Sequence, residues 1–177
     1  MMDRPHPLVA LARRTIEAYV REGEQCDPPD PLPPEMQRRA GAFVTLHRHG
    51  ELRGCIGTIQ PTQANLAEEV IANAIAAASR DPRFPPVKRH ELADLDVKVD
   101  VLTEPEPVDS VEDLDPKRYG LIVQSEENPW KRGLLLPDLE GIDTAEKQLF
   151  WTRYHKAGIT DPDEPVQLFR FEVRRCT

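Results

Sequence analysis

Apolar residues recur at two spacings along the chain, one typical of helices and one typical of strands. Near the N-terminus they return every three or four positions, which is the spacing of one helical face. That face consists of Leu11, Ala12, Thr15, Ile16 and Tyr19. Pro7 suits the first turn and Gly23 suits the position after the last turn, so the pattern predicts a helix over 7–22.

A proline-stiffened, extended connection at 26–35 is followed by a predicted hairpin. Its two β-prone runs cover 42–48 and 52–59, in the stretch AGAFVTLHRHGELRGCIGTI. Asn65 then marks the start of a second helix, with Glu68 three residues later as the partner of a capping box. After that helix, alternating apolar and polar residues in DLDVKVDVLTEPEPV predict a half-buried strand.

The second half of the chain shows the same order of patterns. Two apolar runs around a polar turn occupy 120–137, which again predicts a hairpin. Asp143 and Glu146 form a predicted capping box for a helix that stops at Gly158. The final alternation, VQLFRFEVRR, predicts one strand with one apolar face.

These patterns predict an α+β fold, with an antiparallel-rich sheet and packed helices in one domain over 1–177. The N-terminal helix at 7–22 precedes a first β-β-α-β half at about 41–104 and a second half at about 118–175. Because hairpin, helix and strand follow in the same order twice, we interpret the chain as an internal duplication of a β-β-α-β unit.

Charge and cysteine content restrict the classes of partner and the compartment. The formal net charge of -8, with acidic residues spread along the chain, disfavours nucleic acid as a partner. No apolar run is long enough to span a bilayer, and the N-terminus lacks a signal-peptide core, so no membrane association is predicted. Cys26, Cys55 and Cys176 form no CxxC pair, which suits a reducing compartment. We therefore predict a cytoplasmic protein.

The stretch LRGCIGT, residues 52–58, holds the first candidate for chemistry. Regular strand alternation would put Arg53 and Cys55 on one face, where the arginine could lower the pKa of the thiol. Glycines such as Gly54 and Gly57 weaken a strand and commonly mark a bulge or a place where a ligand or another backbone approaches closely. The structural alternative is that Cys55 is a small buried hydrophobic residue.

Two further stretches could bind a ligand. In DPRFPPV, prolines stiffen a loop that presents Asp81 and Arg83 as a binding wall. Its alternative is a helix terminator in which these two side chains pair with each other and Phe84 fills the core. The spacing of His47 and His49 is compatible with a metal, but no third ligand accompanies them, so we interpret them as a solvated turn.

Common cofactor motifs are absent from the sequence. It contains no Walker loop, GxGxxG, HExxH or GxSxG pattern, so no cofactor or metal is predicted. Trp130, within ENPWKRG, is interpreted as a cover for the core.

The segments LRGCIGTIQP, NAIAAASRDPRFPPV, VLTEPEPV, GLLLP and KAGI, in this order from about residue 40 onward, resemble the AMMECR domain family. Its prokaryotic members are called AmmeMemoRadiSam system protein A, and the resemblance implies association with a radical-SAM protein and a Memo-like protein. It also implies an α+β fold and a functional surface at the LRGCIG hexapeptide. The chain departs from the family pattern at Asp100, where a serine is expected, and at Tyr154 and His155, where a small residue and a cysteine are more usual.

Our leading hypothesis is a cytoplasmic binding or accessory protein with a cleft built from 53–58 and the 81–86 loop. An anionic group of a small-molecule ligand would contact Arg53, and Cys55 would line the site. The full set of predicted ligand-binding residues is Arg53, Gly54, Gly57, Thr58, Asp81 and Arg83. One rival hypothesis is an enzyme with Cys55 as its catalytic nucleophile or thiol ligand and a histidine as base. A third is an interaction module in which the segment serves packing alone.

Overall fold

The computed structural model describes residues 3–177 and shows the predicted α+β fold. The four α-helices of this range are α1 Pro7–Glu22, α2 Pro34–Gln37, α3 Leu66–Ser79 and α4 Ala145–Phe150. Its eight strands are β1 Ala42–Arg48, β2 Glu51–Gly57, β3 Leu95–Leu102, β4 Glu106–Val108, β5 Gly120–Ser125, β6 Arg132–Leu135, β7 Val166–Phe171 and β8 Val173–Cys176. They form two antiparallel sheets, in the orders β2-β1-β3-β8 and β4-β7-β5-β6.

The chain divides into two compact units. The first holds the described residues up to Leu102 together with Arg174–Thr177, and the second holds Thr103–Val173. No helix within residues 3–177 combines the length and the apolar character that crossing a membrane requires.

Helix α1 has the boundaries that the sequence predicts, and its ends are satisfied locally. The side chain of His6 accepts a hydrogen bond from the backbone N–H of Leu8. At the other end Gly23 has a φ of 71°, and its N–H donates to the carbonyl of Tyr19 at 2.9 Å. A left-handed residue of this kind ends a helix with little strain when it is glycine.

In the first unit, α1 and α3 cover one face of the sheet. The apolar residues of β1 on that face are fully buried, which makes this layer the core of the unit. They are Ala42, Val44 and Leu46. Residues between them, such as Phe43 and Thr45, point to the opposite face because side chains alternate along a strand.

Helix α3 packs on β2 at backbone contact distance. Asn65 caps the helix as predicted, since its side chain accepts from the N–H of Glu68 at 2.9 Å. A Cβ atom built on Gly54 would lie 2.4 Å from the carbonyl oxygen of Ala77 in the helix. No real Cβ tolerates this distance, so only glycine allows the helix to approach the strand this closely.

The second unit has its own core beneath α4, with a π-helical turn at Trp151–Lys156. The buried residues of this core are Leu114, Leu121, Val123, Ala157 and Ile159. The predicted capping box is wrong in its first residue. Thr144 caps α4 by accepting from the N–H of Lys147, whereas the carboxylate of Asp143 forms an ion pair with the Lys147 ammonium at 2.9 Å.

The two units share one strand topology. Each unit consists of a hairpin, a helix and a further strand, in this order along the chain. In the first unit β1 lies between β2 and β3, and in the second unit β5 lies between β6 and β7. An Arg-Gly pair also recurs: Gly133 follows Arg132 as Gly54 follows Arg53, and a Cβ at Gly133 would lie 2.3 Å from the N of Ala157. Both glycines admit a helix onto the hairpin's second strand.

A second local motif recurs after each helix. In the first unit Asp81 Oδ1 accepts from the N–H of Arg83 at 3.0 Å, and in the second Asp161 Oδ1 accepts from the N–H of Asp163 at 2.9 Å. Each aspartate is followed by proline, so both turns read Asp-Pro-x. The two units therefore share a strand topology and a turn motif, and an internal duplication stays a prediction.

Three predicted segments differ in the structure. The final alternation is two strands, β7 and β8, one in each sheet, because the ladder breaks at Glu172. The predicted extended connection over 26–35 is wrong at its end, since the short helix α2 begins at Pro34 and buries Met36. Trp130 does not cover the core, since it lies at the β5–β6 turn with 77% of its surface exposed.

We expect Gly54→Ala to destabilise the first unit, because the added methyl must push α3 off the strand. Overpacking of this kind costs about 1–3 kcal/mol in the free energy of unfolding, measured by urea denaturation. Gly133→Ala should act similarly on the second unit. Leu52→Ala, at an exposed position of β2, is the control and should change stability by about 0.5 kcal/mol or less. Equal effects of Gly54→Ala and Leu52→Ala would contradict the close-packing explanation.

The candidate binding surface around Cys55

Cys55 lies on the sheet face that points away from α3. It pairs with Thr45 of β1, and its Sγ is 3.2 Å from the Thr45 hydroxyl oxygen. The next residue pair along this row is Thr45 with Lys98 of β3. Directly paired residues of neighbouring strands share a face. Cys55, Thr45 and Lys98 therefore form one polar row across the sheet, and each is half-buried.

The backbone N–H and carbonyl of Cys55 that point away from β1 form hydrogen bonds with the side chains of Asp81 and Arg83. Strand β2 is at the edge of its sheet, so half of its backbone polar groups have no strand partner. The N–H of Cys55 donates to Asp81 Oδ2 at 3.0 Å, and the Arg83 guanidinium donates to the Cys55 carbonyl at 3.5 Å. The turn after α3 thus takes the place of a neighbouring strand at the cysteine.

Asp81 and Arg83 are bound to each other through two parallel hydrogen bonds. Arg83 Nε donates to Asp81 Oδ1 at 3.0 Å and an Arg83 Nη donates to Oδ2 at 2.8 Å. Hydrogen bonds from Arg83, together with the Cys55 N–H, hold the pKa of the Asp81 carboxyl well below its usual range, although burial opposes them. The Asp81 side chain is buried while that of Arg83 is 54% exposed, so the arginine presents its remaining donors to solvent.

The thiol itself is neutral at neutral pH. Burial raises the pKa of Cys55 above its ordinary value, and the hydroxyl of Thr45 and the charge of Arg83 oppose this only in part. Within residues 3–177, Thr45 is the only side chain that hydrogen bonds to this sulfur, so no histidine is placed there as a base. The arrangement does not favour Cys55 as a nucleophile.

Arg53 does not share the face of Cys55. The register of β1 and β2 pairs Leu46 with Gly54 and His47 with Leu52, which leaves Arg53 as the extra residue of a β-bulge. Its guanidinium donates to both carboxylate oxygens of Glu91, at 2.9 and 3.0 Å. The predicted effect of Arg53 on the thiol is therefore wrong, because the bulge turns its side chain toward Glu91.

The Arg53–Glu91 pair forms one wall of a small cavity. The cavity has a volume of about 210 Å³ and is also lined by Pro85, Pro86, Lys88 and His90. Hydrogen bonds from Arg53 are the main cause that lowers the pKa of Glu91 to about 2, with the N–H of Lys88 adding to them against the effect of burial. Arg53 is thus already neutralised where the sequence suggested an anion site.

Three more predicted binding residues are occupied by packing. Gly54 faces α3, and a Cβ at Gly57 would lie 2.2 Å from the ring of Phe43. The Thr58 hydroxyl donates to the buried carboxylate of Glu69 at 2.6 Å. Of the seven residues singled out from the sequence, the structure brings Cys55, Asp81 and Arg83 together and places the others elsewhere.

Sequence patterns did not identify Thr45 and Lys98 on this sheet face, and they singled out Asp100 only as a departure from the family pattern. Thr45 and Lys98 contact the cysteine row only through strand pairing. Asp100, on the same face of β3, is 2% exposed and binds Arg175 of β8 at 2.9 Å. The available signal was the polar residues that alternate with valines in β3. Which residues of other strands they meet depends on the strand register, which local patterns do not give.

The second unit lacks this polar row. Because Gly133 pairs with Val123 as Gly54 pairs with Leu46, the register equates Cys55 with Leu134. By the same register Thr45 corresponds to Ile122 and Lys98 to Phe169. The shared Arg-Gly and Asp-Pro motifs are therefore scaffold, whereas the polar row is particular to the first unit.

The described residues 3–177 hold no group of three histidine, cysteine, aspartate or glutamate side chains that could hold a metal ion. His49 has a positive φ of 53° in the β1–β2 turn and lies 3.6 Å from Asp94.

Fold and site together define an α+β protein of two similar units, one of which carries a half-buried thiol beside a buried carboxylate. The AMMECR1 family model matches residues 9–176, and the chain belongs to this family. A protein of Thermotoga maritima is 55% identical over 172 residues, which are 96% of this chain and 97% of that protein. A protein of Clostridium acetobutylicum is 47% identical over 96% of this chain, which spans only 35% of that longer protein.

A solved structure also resembles this chain along nearly its whole length. The crystal structure of an uncharacterised protein from Pyrococcus horikoshii has a TM-score of 0.84 and 38% sequence identity. The match covers 95% of this chain and 88% of the other.

We expect Cys55 to resist alkylation at neutral pH. We would measure the rate of its reaction with iodoacetamide as a function of pH. The pH at which this rate is half-maximal should be higher for Cys55 than for a free thiol, because burial disfavours the thiolate. The measurement uses a Cys26→Ser, Cys176→Ser background, with N-acetylcysteine as the reference. A half-maximal rate at a pH well below that of N-acetylcysteine would instead support a nucleophilic cysteine.

We expect acid to weaken the fold partly through Glu91. Its pKa falls from an ordinary 4.5 to about 2 on folding, so its contribution is present above pH 4.5 and is lost as the pH falls toward 2. That contribution is about 3 kcal/mol at most. In urea denaturation between pH 6 and 2, the free energy of unfolding of Glu91→Gln should fall less steeply than that of the wild type. Glu51→Gln, an exposed control in β2, should keep the wild-type slope.

Proposed function

We propose that this chain is a binding or accessory protein whose recognition surface is the Cys55 surface. We define this surface as Cys55, Thr45 and Lys98 with the Asp81–Arg83 pair. The observation that carries the proposal is the contrast between the two units. They share their scaffold motifs, yet polar groups replace the apolar Leu134, Ile122 and Phe169 in the first unit alone.

Binding explains this surface better than catalysis does. A protonated thiol beside a threonine hydroxyl supplies a weak donor and a polarisable contact. Asp81 is held ionised and is fully engaged by Arg83 and by backbone N–H groups, so it has no role as a proton acceptor. The surface offers fixed shape and charge, which are the requirements of recognition.

The chemistry of the surface favours an anionic group on the ligand or partner. The Arg83 guanidinium uses Nε and one Nη on Asp81 and still has other N–H groups directed to solvent. Lys98 adds a second cation, whose ammonium is 4.0 Å from the exposed carboxylate of Asp96. A carboxylate or phosphate would compete for both cations. Arg83 therefore takes the role that the sequence suggested for Arg53.

The proposed partners are a radical-SAM protein and a Memo-like protein in the cytoplasm, as the family resemblance implies. The greater length of the Clostridium acetobutylicum relative supports the proposal that this chain acts together with other proteins. About a third of that protein corresponds to this chain. A domain joined to other sequence in one relative can act beside separate chains in another.

Arg83→Gln tests the surface. We expect it to weaken binding of the purified Memo-like or radical-SAM protein about ten-fold, which equals about 1.4 kcal/mol, measured by calorimetry at fixed salt. Arg118→Gln is the matched control, because Arg118 is an exposed arginine bound to a carboxylate at 2.8 Å in the second unit. It should change affinity less than about two-fold.

Urea denaturation of both variants separates recognition from stability. Lost binding with unchanged stability supports the Cys55 surface. Equal loss of binding in Arg83→Gln and Arg118→Gln, or no loss in either, contradicts it.

A further inference from the structure

A separate group of aromatic side chains is exposed in the second unit. We call it the aromatic patch and define it as Phe150, Trp151, Tyr154 and His155. Phe150 and Trp151 are 48% and 43% exposed, although large apolar side chains are usually buried. A cluster of such residues on a surface is typical of an interaction site.

The π-helical turn assembles this patch. The N–H of Ala157 donates to the carbonyl of Thr152, five residues earlier, at 2.9 Å. In such a turn residues five apart come together, and the rings of Phe150 and His155 have centroids 5.6 Å apart. In an ordinary α-helix these two residues would point in different directions. Turns of this kind are rare and occur frequently at functional sites.

The rings are held in place before any partner arrives. Trp151 and His155 stack with centroids 4.3 Å apart, and Phe150 lies 5.2 Å from Tyr154. Arg153 lies over the Tyr154 ring, and its guanidinium donates to the carbonyls of Asp161 and Glu164 at 2.7 and 2.9 Å. A patch ordered in this way loses little side-chain entropy on binding.

One cation beside the patch is open to a partner. The segment KQLFWTRYHK, residues 147–156, contains three cations. Lys147 forms an ion pair with Asp143 and Arg153 donates to backbone carbonyls, whereas Lys156 is exposed. Aromatic residues next to cations complement a segment that combines acidic and apolar side chains.

We propose that the aromatic patch binds a segment of a partner protein that carries both acidic and apolar side chains. The apolar side chains of this segment would pack on the rings, and its carboxylates would contact Lys156. Nucleic acid fits less well, because Trp151 already packs against His155 and Lys156 alone gives few phosphate contacts. An anionic membrane surface would likewise require a cluster of cations.

Defined probes test the proposal on the full chain. The first is a short fluorescein-labelled peptide of glutamates with two Leu-Phe pairs, and the second has glutamine in place of every glutamate. By fluorescence anisotropy the acidic peptide should bind about five-fold tighter than the glutamine peptide, and the difference should shrink in high salt. Oligouridylate and phosphatidylglycerol vesicles are the competing probes.

Two patch variants and one control locate the binding. Phe150→Ser with Trp151→Ser should weaken the acidic peptide about ten-fold. Lys156→Glu leaves every ring in place and should weaken it about five-fold. Trp130→Ser removes an exposed tryptophan outside the patch and should change affinity less than about two-fold.

The outcomes are distinct. The proposal is overturned if the acidic peptide does not bind, if oligouridylate or vesicles bind more tightly, or if Trp130→Ser weakens binding as much as the patch variants. Should the serine double variant unfold in urea at lower concentration than the wild type, Lys156→Glu alone decides. Failure here leaves the Cys55 surface unaffected, since the two surfaces lie in different units.

Discussion

The contact between a helix backbone and the second strand of a hairpin determines both units. At Gly54 and at Gly133 the strand meets helical backbone atoms with no room for a side chain. This contact fixes the height of the helix above its sheet and therefore the position of everything that follows the helix. The Asp-Pro turn begins within a few residues of each contact, so its carboxylate is placed by the same packing.

From this placement follows the difference between the units. In the first, the turn brings Asp81 to the edge of β2, where its carboxylate meets the N–H of Cys55. In the second, Asp161 makes the equivalent turn contact but stays exposed. A shared scaffold thus carries a polar row in one case and an apolar row in the other.

Local patterns in the sequence predicted the elements well and the contacts between them less well. Helix α1, the cap at Asn65 and the close approach at Gly54 all follow from residue types within a few positions. The role of Arg53 was predicted incorrectly because a single extra residue in the β1–β2 ladder reverses the face of the side chain. Gly54 is compatible with a bulge, but strand periodicity does not show which residue is the extra one.

Burial and register are long-range properties, which explains the remaining differences. Trp130 resembles a core residue by type, yet its exposure depends on which side of the hairpin tip faces solvent. Thr45 joins the Cys55 surface through the register of the hairpin, and Lys98 joins it through pairing with Thr45, which lies about 50 residues away in the sequence. The clamp that Asp81 and Arg83 place on β2 has one more consequence. An open strand edge can recruit the same edge of another molecule and start aggregation. By occupying the backbone groups of Cys55, the Asp81–Arg83 pair disfavours the addition of a strand at the outer edge of β2.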